Sequence, residues 1–244
     1  MQSIGRVALL VALTAAPAAA QEVGRGFLFG RPEGSITFRG GFAHPFASSD
    51  VFSDARRQLT LGRGAFNGLA LGADIAFSLR NDLDLTLGLD WSGSSSRSEF
   101  RDYVDNNELP IEQTTSLVRV PLTASLKWYL APRGRSVGRY AWIPAKYAPY
   151  LGAGAGLMWY SFQQKGDFVD FKTLNVFATE FGSQQWGATA HALAGFEYSI
   201  NQRMGISTEG RYVWSRAGLG SDFSGFQPID LSGFTTSVGL LIRF

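Results

Sequence analysis

Residues 233–244 read GFTTSVGLLIRF, and this stretch decides the fold predicted for the chain. Its alternation has the period of a β-strand whose two faces meet different surroundings. The strand continues to an aromatic residue, Phe244. One face carries a mostly apolar set, Phe234, Thr236, Val238, Leu240, Ile242 and Phe244, and the other carries Gly233, Thr235, Ser237, Gly239, Leu241 and Arg243.

The same two-residue period recurs seven times upstream, and no segment shows the 3.6-residue period of an amphipathic helix. The seven further strands are predicted near residues 36–42, 69–79, 83–91, 118–130, 149–162, 186–198 and 206–215. Short and long connections alternate between them, which indicates strands running up and down in order. The tight turns are 80–82 and 201–203, the long polar loops are 43–66, 92–113, 163–184 and 216–230, and the basic segment 131–148 is a long connection where a short one is expected.

Large aromatic residues lie near both ends of the predicted strands, on the apolar face. Such rings favour the boundary between lipid and water. Twelve positions separate Trp186 from Tyr198. At about 3.3 Å per residue and a tilt of about 40°, they span roughly 30 Å of membrane. The predicted membrane-interface aromatics are Trp91, Trp128, Trp159, Trp186, Tyr198 and Trp214.

The opposite face of the strands carries the charge. Strands that cross lipid must close into a barrel, and eight strands enclose a lumen that side chains fill. Buried ions need partners there. A register that places Asp90 opposite Arg119 also brings Asp84 within one step of Lys127. The predicted lumen ion network is Arg39, Asp74, Asp84, Asp90, Arg119, Lys127, His191, Glu197, Glu209, Arg211 and Arg243.

The predicted fold class is therefore all-β, an eight-stranded antiparallel up-and-down transmembrane β-barrel. A soluble sandwich or a lipocalin-like barrel also alternates, but its apolar face points inward.

Composition excludes several kinds of site. The chain has no Cys, which excludes disulfides and thiolate metal sites. With 22 Lys plus Arg against 20 Asp plus Glu, it gives no reason to expect nucleic acid as a partner.

The first residues have the features of a secretory signal peptide. Arg6 precedes a short apolar run, and Ala18 and Ala20 occupy cleavage-site positions before Gln21. The run is shorter than the roughly 20 residues of a spanning helix. We expect a signal peptide over 1–20, cleaved after about Ala20, a short segment over 21–32 and the barrel over 33–244.

The chain resembles the small eight-stranded outer-membrane barrels of Gram-negative bacteria, such as the OmpX type and the membrane domain of OmpA. The resemblance covers about residues 33–244. It rests on the signal peptide, the strand count, the alternating short and long connections and the ending VGLLIRF over 238–244. The long second turn, 131–148, departs from the family pattern. OmpA-like anchoring to the cell wall is not expected, because no peptidoglycan-binding sequence follows the eighth strand.

The resemblance implies a location in the bacterial outer membrane, with a periplasmic N-terminal segment. It implies outer-membrane lipids as partners, the barrel-assembly machinery during biogenesis, and a monomer. The assembly signal that it implies is Val238, Leu240, Ile242 and Phe244.

No catalytic, cofactor or metal site is predicted. The sequence GAGAG over 152–156 is not a GxGxxG loop, and inward glycines on a tight barrel strand explain it better. His191 and Glu197 share a strand face and would need a nearby hydroxyl for catalysis, so a histidine within the lumen network is preferred. His44 reads as a loop residue. An acidic loop, with weak calcium binding as the alternative, contains Asp102, Asp105 and Glu108.

The loop around residues 168–181 is unusually apolar. It could extend a hairpin beyond the membrane, fold over the barrel mouth or form a contact patch. Its aromatic residues are Phe168, Phe171, Phe177 and Phe181.

The functional expectation is a rigid, non-catalytic membrane anchor with a side-chain-filled lumen, displaying four extracellular loops. The alternatives are an enzyme that modifies lipid A in the outer leaflet, a narrow passive pore and a soluble ligand carrier.

Overall fold

A computed structural model describes residues 28–244 except 106–107, 139, 171–172 and 174. The predicted signal peptide and Phe171 lie outside the described residues. Eight long strands form the fold: β1 Gly34–Pro45, β2 Gly68–Ser78, β3 Leu83–Val104, β4 Pro110–Tyr129, β5 Tyr147–Val169, β6 Val176–Ser199, β7 Met204–Ala217 and β8 Gly233–Arg243.

The eight strands close into a ring. Each pairs antiparallel with the next strand in the chain, and β8 pairs with β1 from Gly233 opposite Pro45 to Arg243 opposite Ser35. Each strand of the ring therefore has a paired neighbour on both sides. This pairing satisfies the hydrogen-bonding groups of the backbone, as a lipid environment requires. The predicted all-β, eight-stranded up-and-down barrel is confirmed.

The two ends of the barrel differ. We call the end with the tight connections 79–82 and 200–203 the turn end, and the opposite end the hairpin end. Segment 131–148 lies at the turn end and contains the strands Gly134–Val137 and Ala141–Pro144, which form a three-stranded sheet with Leu28–Phe29. We call this small sheet, together with the other described residues of segment 131–148, the turn-end plug; its Trp142 is 5% exposed.

At the hairpin end, two hairpins continue far beyond the length predicted for their strands. Strands β3 and β4 are joined only by residues 105–109, and β5 and β6 only by 170–175. The prediction of long loops over 92–113 and 163–184 is therefore wrong for most of their length. Phe168 lies opposite Phe177, so this apolar region extends a hairpin.

The other two long connections fold inward. Residues 46–67 contain a helix, α1 Asp50–Gln58, and a 3-10 turn, Arg63–Phe66. No helix was expected there, because nine residues are too few to establish a helical period against the surrounding loop sequence. In the described part of the chain, no helix is long and apolar enough to cross a lipid bilayer.

These inward connections form a hairpin-end cap over the barrel mouth, comprising α1, residues 59–67 and residues 218–231. Val51, Phe52 and Ala55 of α1 are buried in it. Phe52 packs edge-on against Phe66, with ring centroids 4.8 Å apart, and against Phe162 of β5 at 5.5 Å. The cap is a small apolar core that lies above the barrel lumen.

Candidate functional site

The lumen is the candidate site, because it collects the charged side chains of the strands. Ten of the eleven residues predicted to face it are at most 7% exposed, and the side chain of the eleventh, Asp90, is 22% exposed. Strand alternation places them there, since every second side chain of a barrel strand points inward. The structure brings most of them together in two layers.

The central ion layer is organised by Arg39 of β1. Its guanidinium donates to Glu209 Oε1 at 2.5 Å, to Asp90 Oδ1 at 2.6 Å and to Asp74 Oδ1 at 3.1 Å. Arg211 donates to Asp90 Oδ2 at 2.8 Å and to Glu209 Oε1 at 2.9 Å. Each cation thus bridges carboxylates from different strands.

Lys127 completes this layer, with its Nζ 3.4 Å from Glu209 Oε2. The layer therefore contains three cations and three carboxylates and is neutral, which offsets the cost of removing ions from water. Tyr150 adds a hydrogen bond of 3.1 Å from its hydroxyl to Glu209 Oε2. Sequence reasoning did not select Tyr150, although the alternation of β5 places it on the lumen face.

A second layer lies nearer the turn end. Arg243 of β8 donates to Glu197 Oε2 at 3.2 Å, and the Tyr129 hydroxyl donates to Glu197 Oε1 at 2.7 Å. Asp84 receives a hydrogen bond of 2.6 Å from Arg133. Sequence reasoning missed Arg133, which belongs to the basic segment 131–148. Two signals could have indicated it: its positive charge, and its position shortly after the end of β4.

The predicted pairing across β3 and β4 needs correction. Asp84 lies directly opposite Lys127, whereas Arg119 lies opposite Ser92 and not opposite Asp90. The true register differs from the predicted one by two residues. A shift of two keeps every side chain on its predicted face, so hydrophobic alternation cannot detect it.

Because of this register, Arg119 lies above the central layer. Its Nη1 donates at 2.8 Å to the carbonyl oxygen of Leu231, a residue of the cap that is 0% exposed. No carboxylate among the described residues lies within ion-pair distance of Arg119. Arg119 therefore connects the barrel wall to the cap and is not a member of the central network.

His191 lies inside the barrel and is 2% exposed. Its Nε2 is 2.8 Å from Ser125 Oγ, so a hydroxyl does lie within hydrogen-bond distance of the histidine. Ser125 is also buried, at 4% exposure. The pair is enclosed by the barrel wall, which places it away from any lipid substrate outside.

The glycines of the GAGAG segment permit close approach of two strands. A Cβ atom built at Gly152, Gly154 or Gly156 would lie 2.6, 2.3 or 2.0 Å from a carbonyl oxygen of the neighbouring β4. Such distances are too short for any non-bonded contact. Glycine is therefore required at these positions because the wall of a small barrel brings the two strands too close for a side chain.

The outer face of the barrel carries an apolar band. Trp91, Trp128, Trp186 and Trp214 are between 40% and 59% exposed, and Trp159 and Tyr198 are partly buried by neighbours. The four residues of the assembly-signal prediction also face outward, three of them on β8 and Phe244 directly after it. Their exposures are 57% for Val238, 40% for Leu240, 39% for Ile242 and 56% for Phe244.

Beyond the aromatic belt at the hairpin end, the polarity of both sheet faces changes. The outer face of β3 passes from Leu89 and Trp91 to Ser95 and Arg97, all exposed. Its cross-strand partners on β4 change from Leu122, opposite Leu89, to Ser116, opposite Ser95. The inner face changes from buried ions to an uncharged, mixed set: the buried apolar residues Phe100, Ile111, Leu117, Tyr160 and Phe162 lie there beside the buried polar residues Ser98, Gln113 and Thr115.

This change marks the edge of the membrane. Below it the outer face is apolar and the inner face ionised, as a barrel in lipid requires. Above it the strands follow the rule of a protein in water. A soluble barrel would keep one polarity along the whole strand, so the structure excludes the soluble alternatives.

A small cavity separates the central layer from the cap. Its volume is about 40 Å³, and its lining includes Arg39, Asp90, Arg119 and Met158. A space of this size holds one or two water molecules. Within the described ranges, no three His, Asp or Glu side chains are grouped closely enough to hold a metal ion.

The chain matches no protein-family model and no curated protein. Solved structures similar to it include Neisserial surface protein A, with a TM-score of 0.47 and 14% identity over 86% of this chain and 96% of that one. OprG from Pseudomonas aeruginosa has a TM-score of 0.47 and 15% identity, covering 89% and 99%. The outer membrane protease OmpT from Escherichia coli has a TM-score of 0.44 and 12% identity, covering 91% and 99%.

These similarities are too distant to transfer an activity, and the proteins named have different roles. The assignment depends on features of the chain itself: a closed ring of eight strands, an exposed apolar band and a lumen of buried ions. The chain is a small eight-stranded β-barrel protein built to span a lipid membrane, and its fold is that of the outer-membrane proteins to which it is similar.

Proposed function

We propose that the protein is a non-catalytic, non-conducting membrane anchor that holds a rigid surface above the outer membrane. In this proposal the hairpin end is extracellular and the turn end periplasmic. The lumen filled by side chains is the observation that carries the proposal. The plug, two ion layers and the cap lie one above another along the barrel axis, and the cavity between the upper layers measures only about 40 Å³.

The displayed surface is a sheet rather than a set of four loops. Above the membrane edge, β3, β4, β5 and β6 remain paired, with Ser95 opposite Ser116 and Ser116 opposite Gln163. Their inner faces pack on the cap, so the sheet is supported from behind. Rigid polar surfaces of this kind suit contact with a partner, because little conformational entropy is lost on binding.

A conductance measurement tests the closed lumen. Folded protein is inserted into a planar lipid bilayer, and its folded state is verified by heat-modifiable migration on a gel. We expect no conductance steps. Regular conductance steps from the wild-type protein would contradict the proposed anchor and support the alternative of a narrow passive pore.

The orientation is tested with single cysteines, which the Cys-free chain makes unambiguous. Ser95→Cys lies on the exposed outer face of β3, and Ser136→Cys lies in the turn-end plug. A maleimide that does not cross membranes should label the first variant in intact cells and the second only after the outer membrane is permeabilised. The opposite labelling pattern would reverse the orientation.

Incubation with lipid A tests the enzymatic alternative. We expect its acylation to remain unchanged, because His191 and Ser125 are enclosed in the lumen. A change in acylation that disappears in His191→Ala would show that the protein is an enzyme.

A further inference from the structure

A groove at the turn end joins the plug to the lipid-facing wall. It has a volume of about 520 Å³, within the range of small-molecule sites, and its lining includes Arg31, Asp82, Trp128, Leu130, Pro132 and Arg133. We call it the rim groove. The ion layers of the lumen and the paired hairpins above the membrane do not explain the presence of this groove.

The rim groove has one uncompensated positive charge. Arg80 Nε lies 3.3 Å from Asp82 Oδ1, and Arg133 Nη1 lies 2.6 Å from Asp84 Oδ2, so these two pairs are neutral. Arg31 donates at 2.6 Å to the carbonyl oxygen of Arg80. Among the described residues, no carboxylate oxygen lies within ion-pair distance of Arg31.

The surroundings of Arg31 favour an anion. Partial burial and the positive charge of Arg133 lower the pKa of Arg31 from its ordinary value, and these effects outweigh the attraction of Asp84 and Asp82. A bound anion would relieve this repulsion. A guanidinium with free N–H donors suits a phosphate group, which accepts paired hydrogen bonds.

One wall of the rim groove belongs to the membrane surface. Trp128 is 52% exposed and Leu130 is 51% exposed, and both continue the apolar band of β4. The Trp128 indole N–H donates at 3.3 Å to Asp82 Oδ2, which holds the ring at the boundary between lipid and water. A ligand in the groove therefore meets a cation at one end and lipid-facing side chains at the other.

We propose that the rim groove binds a membrane phospholipid, with Arg31 contacting the headgroup phosphate and the acyl chains lying along Trp128 and Leu130. The amphipathic lining selects this occupant over a soluble phosphate, which would leave the apolar wall unused. If the barrel has the proposed orientation, with its turn end periplasmic, this lipid belongs to the periplasmic leaflet, so the choice of leaflet rests on the proposed function. Binding itself does not depend on that orientation, so the two can fail separately.

Native mass spectrometry of the detergent-solubilised mature protein with added dioleoylphosphatidylglycerol tests the proposal. We expect one tightly retained lipid on the wild type, at least tenfold less on Arg31→Gln, and unchanged retention on Arg135→Gln. Arg135 is an exposed arginine of the same plug that does not line the groove. Equal retention by wild type and Arg31→Gln would overturn the proposal.

Two competitors identify which part of the lipid is recognised. Dioleoylglycerol lacks the phosphate and should not displace the lipid; equal binding of dioleoylglycerol would overturn the role assigned to Arg31. Inorganic phosphate at millimolar concentration should not displace it either, and full displacement would make the groove a free-phosphate site. If Arg31→Gln fails to fold, Arg31→Lys and the competition on the wild type still decide the question.

Discussion

Arg133 and Asp84 form an ion pair between two separate parts of the fold, the turn-end plug and strand β3. The Arg133 side chain is 15% exposed and that of Asp84 is 1% exposed. Arg133 also donates to Ser78 Oγ at 3.0 Å and stacks on the ring of Tyr129, 4.4 Å from its centroid. The plug therefore supplies the cation that the lumen carboxylate Asp84 requires. The segment that covers the turn end of the barrel thus also neutralises a charge inside it.

Arg133→Gln should destabilise the barrel. Removing one partner leaves the Asp84 charge buried without compensation, which costs about 3 kcal/mol for a pair near the end of the lumen. Urea unfolding of the protein in lipid vesicles measures the loss. The control is Arg135→Gln, which changes an exposed arginine of the same plug. Equal unfolding midpoints for both variants would show that the plug does not stabilise the lumen.

Gly156→Ala should also destabilise the barrel, for a steric reason. The added Cβ would lie 2.0 Å from the carbonyl oxygen of Leu122, a backbone atom that cannot rotate away. Separating β4 from β5 should cost about 1 to 3 kcal/mol. The matched control is Gly40→Ala on the lipid face, where the nearest atom, in the side chain of Leu71, lies 3.8 Å away. The fraction that migrates as folded protein on an unheated gel should fall only for Gly156→Ala.

The sequence was sufficient to predict which way most side chains point, because that depends only on the two-residue period. It was not sufficient to predict the partners of the charges. The register of β3 against β4 differs by two residues from the prediction, so Arg119 meets the carbonyl of Leu231 instead of Asp90. Only the three-dimensional closure of the sheet selects among registers that preserve the same faces.

The extent of the strands was missed for a related reason. The outer face of the hairpins above the membrane is rich in serine, threonine and glutamine, which suggests a loop when the lipid-facing pattern is the guide. Their inner faces continue to alternate, with Leu117 and Phe162 buried against the cap. These inner faces pack against α1, a helix too short to be recognised from its periodicity. Without a predicted helix, the sequence offered no apolar partner for the extended strands, and without extended strands it offered none for the helix.

Phe52→Ala should loosen the cap without unfolding the barrel. Phe52 is 0% exposed and contacts two other rings, so its truncation removes about 3 kcal/mol of packing. Limited proteolysis should then cut within residues 46–67, while the barrel keeps its heat-modifiable migration. Arg57→Ala, on the exposed side of the same helix, removes only a surface ion pair with Asp54 and should leave the cutting rate unchanged. Resistance of Phe52→Ala to the protease would show that the cap is held by other contacts.

Deletion of Phe244 should reduce the amount of folded protein in the outer membrane. The backbone of Phe244 accepts hydrogen bonds of 2.9 Å from Glu33 and 3.3 Å from Gly34, and donates one of 3.1 Å to Gly34, so it fastens the last strand to the first. Its ring is 56% exposed, which leaves it available to the assembly machinery that the resemblance implies.

Two measurements separate these contributions of Phe244. Refolding into lipid vesicles without any machinery reports the lost hydrogen bonds, and the level of folded protein in cells reports recognition as well. We expect a larger decrease in cells than in vesicles. Phe234→Ala removes an exposed ring, 39% accessible, from the other end of β8 and should assemble normally. Equal decreases in both settings would mean that the terminal residue acts only by closing the barrel.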